Sequence, residues 1–108
     1  MKITYTDFAK NSLNNHLLFL IEQGTTIEKV LEKQERVLEK VNMLSINPYL
    51  GQVEVYILDK KHRRLIEGNY KIVYRIENDV IYITDVFDAR QDPDKMNRSQ
   101  LITIHFSA

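Results

Sequence analysis

The residues from His62 to Pro93, HRRLIEGNYKIVYRIENDVIYITDVFDARQDP, constrain the fold more than any other stretch of the chain. Val, Ile, Thr and Tyr dominate it, and these residues suit a pleated, half-buried surface. Its corners are Gly68-Asn69 and Asn78-Asp79, residue types that accept the backbone twists of tight turns. The stretch opens on the basic cluster His62, Arg63 and Arg64 and closes on Asp88-Ala89-Arg90. This pattern predicts a small antiparallel meander that carries basic side chains.

The residues before it read as helices built to cover that meander. Lys2 to Thr6 alternates polar and apolar, which predicts a short first strand with Ile3 and Tyr5 on one face. Thr6 or Asp7 can cap the helix that follows, which takes Phe8, Leu13, Leu17, Leu20 and Ile21 toward the core and ends at Gly24. Thr25-Thr26-Ile27-Glu28 reads as a capping box with Thr25 as the cap. Ile27, Val30, Leu31, Gln34, Leu38, Val41 and Leu44 or Ser45 then keep helical spacing, with a charged face from Glu28 to Lys40 opposite. Mixed signs on that face, and spacings such as Glu32 with Arg36, mark it as solvated.

Asn47-Pro48 stops the second helix, because proline disfavours helical geometry in the residue before it. Pro48 to Gly51 is a turn, and Gln52 to Ile57 alternates as either a short strand or an ordered loop would. The expected fold is therefore α+β in the order β-α-α-β-β-β. It is a four-stranded, mainly antiparallel sheet with two N-terminal helices packed on one face. One domain spans residues 1–95, followed by a tail, 96–108, with a strand-like Leu101–Phe106.

At 108 residues and 44% apolar composition the chain supports one core and is not a disordered type. It has no cysteine, so disulfides and thiolate chemistry are excluded, and no apolar run approaches a membrane span. With no signal-like N-terminus, a cytoplasmic protein is expected. The net charge is zero, but residues 60–75 hold six Lys and Arg against Glu67 alone. A neutral chain with one basic third points to a local surface for anions or an acidic partner, or to an edge protected by cations.

Within the meander, Tyr70, Ile72, Tyr74 and Ile76 share one face of a strand, and Lys71, Val73 and Arg75 share the other. The aromatic and aliphatic face is expected against the helices. Lys71 and Arg75, with Arg64 from the preceding strand, are expected on an uncovered face. Fixed cations there would suit a phosphate transition state or an acidic partner equally. Of the three histidines, His16 reads as structural, while His62 and His105 are the candidate proton carriers. Asp85 and Asp88 fall on opposite faces with no His or Cys beside them, so no metal and no cofactor is expected.

In this order of elements the chain resembles the RelE/ParE superfamily of toxins from type II toxin–antitoxin, or plasmid-stabilisation, systems. The resemblance rests on Asn47-Pro48-Tyr49-Leu50-Gly51, on the run from Arg63 to Arg75, and on Phe87-Asp88-Ala89-Arg90-Gln91-Asp92-Pro93. It implies a growth inhibitor restrained by a cognate antitoxin. RelE-like members cleave mRNA on the ribosome without metal; ParE-like members poison DNA gyrase and are not nucleases. The resemblance places Arg64, Lys71 and Arg90 as catalytic cations in the ribonuclease case only, and the candidate base is then His62, the histidine nearest in sequence, with His105 next. For partner binding the basic meander itself offers Arg63, Arg64, Lys71, Arg75 and Arg90.

Two departures favour the ParE-like reading. Met96 stands near the place of a tyrosine common in the ribonucleases, and His105-Phe106 only loosely matches their terminal His-Tyr pair. The neutral charge also contrasts with what entry into an RNA-rich site demands. A third reading keeps antitoxin binding without toxicity.

Overall fold

The computed structural model describes residues 1–54, 57 and 61–90. The tail from residue 96, with His105 and Leu101–Phe106, lies outside the described residues, as do Val55, Tyr56, Asp92 and Asp94. Strand β1 (Lys2–Tyr5) leads into helices α1 (Asp7–Glu22) and α2 (Ile27–Asn42), and a 3-10 turn follows at Met43–Ser45. Strands β2 (Gln52–Val53), β3 (His62–Glu67), β4 (Tyr70–Glu77) and β5 (Val80–Asp88) complete the order.

Among the described residues the sheet has five strands rather than the four expected, in the order β1-β5-β4-β3-β2. The added strand is β2, which pairs Gln52 and Val53 with Arg64 and Arg63. The meander β2 to β5 is antiparallel, whereas β1 lies parallel to β5 at the opposite edge. Asn78 and Asp79 take φ of 52° and 60°, the double left-handed conformation that a two-residue hairpin needs. Gly68 takes φ +60° in the other turn. Between Val73 and Tyr74 the register with β5 slips by one residue, and Thr84 is the extra residue opposite the slip. Its hydroxyl donates to the Val73 carbonyl at 3.2 Å.

Both helices begin at threonine caps. Thr6 Oγ1 accepts from the Ala9 N–H at 3.1 Å, and Thr26, not Thr25, accepts from the Lys29 N–H at 3.4 Å. The shift by one residue moves Glu28 out of the position a capping box requires. Leu13, Leu17 and Leu20 of α1 and Val30, Val37 and Val41 of α2 meet Ile72, Tyr74, Ile81, Ile83 and Val86 of the sheet in one core. Each such aliphatic side chain contributes about 1.5 to 3 kcal/mol by leaving water. His16 is buried there too, sharing a 2.7 Å hydrogen bond with the Tyr70 hydroxyl, which agrees with a structural role.

The helices cover less of themselves than their patterns imply. Phe8 and Ile21 of α1, and Ile27, Leu31 and Leu38 of α2, were expected in the core but are exposed. Two helices over five strands leave one flank of each apolar stripe outside the sheet contact. Ala9, Ser12, His16 and Val37 are the buried helix residues that the apolar pattern did not single out.

Candidate functional site: the cationic meander

The strand registers decide which cations share a surface. Arg64 sits opposite Val73, Ile66 opposite Lys71, and His62 opposite Arg75, so Arg64, Lys71, Arg75 and His62 all occupy the sheet face away from the helices. Arg63 sits opposite Tyr74 and lies on the helix side. Asp85 and Asp88 fall on opposite faces as the alternation predicts, paired with Val73 and Tyr70.

That outer face is not bare. Ile57, Val73 and Phe87 form a second, small apolar cluster on it, with Ala89 packed against them. Lys71 is buried rather than displayed, with its Nζ 2.5 Å from the Glu54 carboxylate. The side chains of the pair are 8% and 2% exposed, so this is an ion pair held out of water. His62 and Asp85 are buried on the same side. Lys71 was expected to project from an uncovered face; the segment carrying Glu54 and Ile57 covers it instead. Glu54, three residues beyond Gly51, could have been noticed only as an acid flanked by Val53 and Val55.

The remaining cations are each engaged within the fold. Arg64 donates to the Val53 carbonyl at 2.7 Å and to Gln52 Oε1 at 3.0 Å, which fastens β2 to β3. Arg75 pairs with Glu77 at 3.1 Å and lies 4.7 Å from the centre of the Tyr82 ring. Arg90, 63% exposed at its side chain, is 3.5 Å from Asp88. Its guanidinium also meets the Asn69 side chain at 3.1 to 3.2 Å when the amide oxygen faces it. Arg63 donates to the Gly51 carbonyl at 2.8 Å and stacks 5.0 Å from the Tyr49 ring centre.

His62 and Arg90 do not converge. His62 is level with Arg75, whereas Asp88, beside Arg90, is level with Tyr70. Five residues of β4 separate those two levels, roughly 16 Å at the usual strand rise. A base at His62 and a cation at Arg90 therefore stand at opposite ends of the meander. Of the sequence-predicted set, Arg64 and Lys71 lie on neighbouring strands of one face, and Lys71 is sealed by Glu54.

The Asn47-Pro48-Tyr49-Leu50-Gly51 segment owes its form to Tyr74. The buried Tyr74 hydroxyl donates to the Pro48 carbonyl and accepts the Gly51 N–H, both at 2.9 Å. A Cβ at Gly51 would stand 2.5 Å from the Arg64 carbonyl oxygen and 2.7 Å from the Tyr74 ring, so only glycine fits. Burial pushes the Tyr74 phenol above its ordinary pKa, against the smaller opposing pulls of the Gly51 N–H and Arg63. The clamp holds Tyr49 and Leu50 outward on a fixed turn.

Comparisons with known proteins agree with this architecture. Residues 3–93 match the family described as ParE toxin of type II toxin-antitoxin system, parDE. No curated protein matches the sequence. Among solved structures the fold is similar to a chain of a chromosomal ParDE TA system from P. aeruginosa, with a TM-score of 0.68 at 19% identity. That similarity covers 82% of this chain and 95% of the other.

Proposed function

The chain belongs to the ParE toxin family of type II toxin–antitoxin systems, and on that footing we propose that it acts by poisoning DNA gyrase rather than by cutting RNA. The observation that carries this reading is the state of the cations. Metal-free RNA cleavage needs a base and several cations around one phosphate, placed for the charge that develops. Here Lys71 is sealed against Glu54, while His62 and Arg90 are set at opposite ends of the meander. A surface that docks on a protein target has no such requirement for convergence.

A toxin of this class is paired with a cognate antitoxin. In our reading the antitoxin lays an acidic segment over part of the meander, near Arg64, Arg75 and Arg90, whose side chains reach the surface. Lys71 contributes indirectly, by fixing the segment that bears Glu54. Among the described residues no helix is long and apolar enough to cross a membrane, and we place the encounter with gyrase in the cytoplasm.

The deciding experiment adds the purified protein to a gyrase supercoiling assay and, separately, to a translating extract. The expected result is inhibited supercoiling or trapped cleaved DNA, with ribosome-bound mRNA intact. New mRNA ends within codons, with gyrase untouched, would overturn the proposal. Arg90→Ala should weaken DNA trapping in a way that more toxin restores, because a docking contact is lost and not a catalytic one.

A further inference from the structure

Residues 41–53 carry no charged side chain, in a chain that is 28% charged, yet most of them face water. Met43, Ile46, Tyr49, Leu50 and Val53 are all exposed, Ile46 at 91% and Tyr49 at 60%. Apolar residues scattered singly over a surface are ordinary, but a run of them in one short segment marks a place of contact. The segment is also held in shape. Tyr74 clamps its turn, Gly51 fits where no other residue does, and Arg63 stacks on Tyr49. The Ile46 and Asn47 N–H groups both donate to the Met43 carbonyl, at 3.3 and 3.1 Å.

Absence of charge, an aromatic anchor and an adjacent arginine are the composition of the centre of a protein interface. An interface also gains when its anchor is ordered before binding, and Tyr74 commits a buried phenol to that order. The charge at hand is positive. The guanidiniums of Arg63 and Arg64 rest on the Gly51 and Val53 carbonyls of the segment itself, and Glu54, the next residue, is buried against Lys71. A complementary surface is therefore an apolar hollow edged by carboxylates.

Other occupants fit less well. A phosphate backbone seeks a row of cations, and this segment has none of its own. A lipid surface takes up an amphipathic helix, whereas this is a clamped turn behind a three-residue 3-10 turn. A second copy related by a two-fold through Tyr49 sets Arg63 and Arg64 against their own images. We infer, on the footing of the gyrase reading, that residues 43–53 with Arg63 are the surface by which this protein grips its target, in an apolar hollow edged by carboxylates. The surface lies at the β2 edge of the sheet, where Val53 is level with Arg63 on the helix side.

The test measures inhibition of gyrase supercoiling by the full chain and its rate of association with immobilised gyrase. Ile46→Asp and Tyr49→Ser should each raise the concentration needed for inhibition roughly thirtyfold or more, the loss of a central interface anchor. Leu18→Asp, at a comparably exposed apolar residue of α1, should not. Within the segment, Asn47→Asp should slow association and Asn47→Lys should speed it, each about threefold at low salt. Circular dichroism verifies the fold of every variant. If the parent inhibits gyrase and the Ile46 and Tyr49 variants inhibit equally well, the gyrase reading stands and this surface is wrong. A parent without effect on gyrase fells both. An equal loss in Leu18→Asp, or no difference or the reverse order at Asn47, overturns the proposal. So does binding to anionic vesicles that Ile46→Asp abolishes, or a dimer that it dissolves, since a lipid or a second copy would then own the segment.

Discussion

On the helix side of β4, Tyr70, Ile72 and Tyr74 are buried among aliphatic side chains; on the other side of the same strand, Lys71 and Val73 are buried as deeply. The helix side is closed by two long elements and filled with apolar volume. The outer side carries the small cluster of Ile57, Val73 and Phe87, and it buries Glu54, His62, Lys71 and Asp85. Equal burial thus has unequal physical meaning. Apolar packing on the helix side adds stability with each methyl group. Burial of the Lys71–Glu54 pair sets Coulomb attraction against desolvation of both ions, and the net is small even though each partner depends on the other.

Separate and joint removal of that pair gives the sharpest contrast. Lys71→Met alone should cost about 3 to 5 kcal/mol in urea unfolding, because Glu54 stays buried without its counter-charge. The double variant Lys71→Met with Glu54→Leu should return to within about 1 kcal/mol of the parent or exceed it. If the two single losses simply add, the outer face is an ordinary core and the comparison collapses. On the helix side, Ile83→Ala should cost about 2 to 5 kcal/mol, with no partner substitution that restores it.

A smaller effect distinguishes the polar contact within the apolar side. Tyr70→Phe removes the hydrogen bond to His16 and should cost about 1 to 2 kcal/mol in thermal or urea unfolding. The Tyr70 phenol is pushed up to about 12 by burial first and by Asp88 second, with Arg90 opposing. The fold therefore favours its neutral form. That contribution is fully present below the ordinary tyrosine pKa near 10 and is lost as pH rises toward 12. Unfolding midpoints should fall across that window in the parent and more gently in Tyr70→Phe. Smallest of all, Glu32→Ala should change stability by no more than about 0.5 kcal/mol, since both partners of its pair with Arg36 are exposed.

Why one face could be read in advance and the other could not follows from where the information lies. The alternation of β4, the Asn78-Asp79 hairpin and the opposed Asp85 and Asp88 are local, and two-residue periodicity is enough to place them. The fate of Lys71 is not local. It depends on Glu54, on a segment with no periodic signature, and parity states which face a side chain leaves by but not what covers that face. The same limit applies to α2, where helical spacing marks Ile27, Leu31 and Leu38 as apolar without saying that the sheet ends short of them. Arg63 shows a further gap: composition groups it with Arg64, and the pleat sends the two to opposite faces. The Asn47–Gly51 motif was legible as a turn, but its clamp on Tyr74 required the fold.

The parallel seat of β1 beside β5 has a consequence in time. Lys2 is made well before its partner in the sheet, Val80, which lies in the last of the described strands. At about 5 to 20 residues per second, roughly 4 to 16 seconds of synthesis separate the two. Throughout that interval α1 and α2 exist without the sheet that covers Leu13, Leu17 and Val37, and the nascent chain has helices but no finished surface. Pairing across such a distance is slow to close and cannot be rehearsed by any N-terminal fragment. The completed surface of the sheet is therefore available only after β5 has been made.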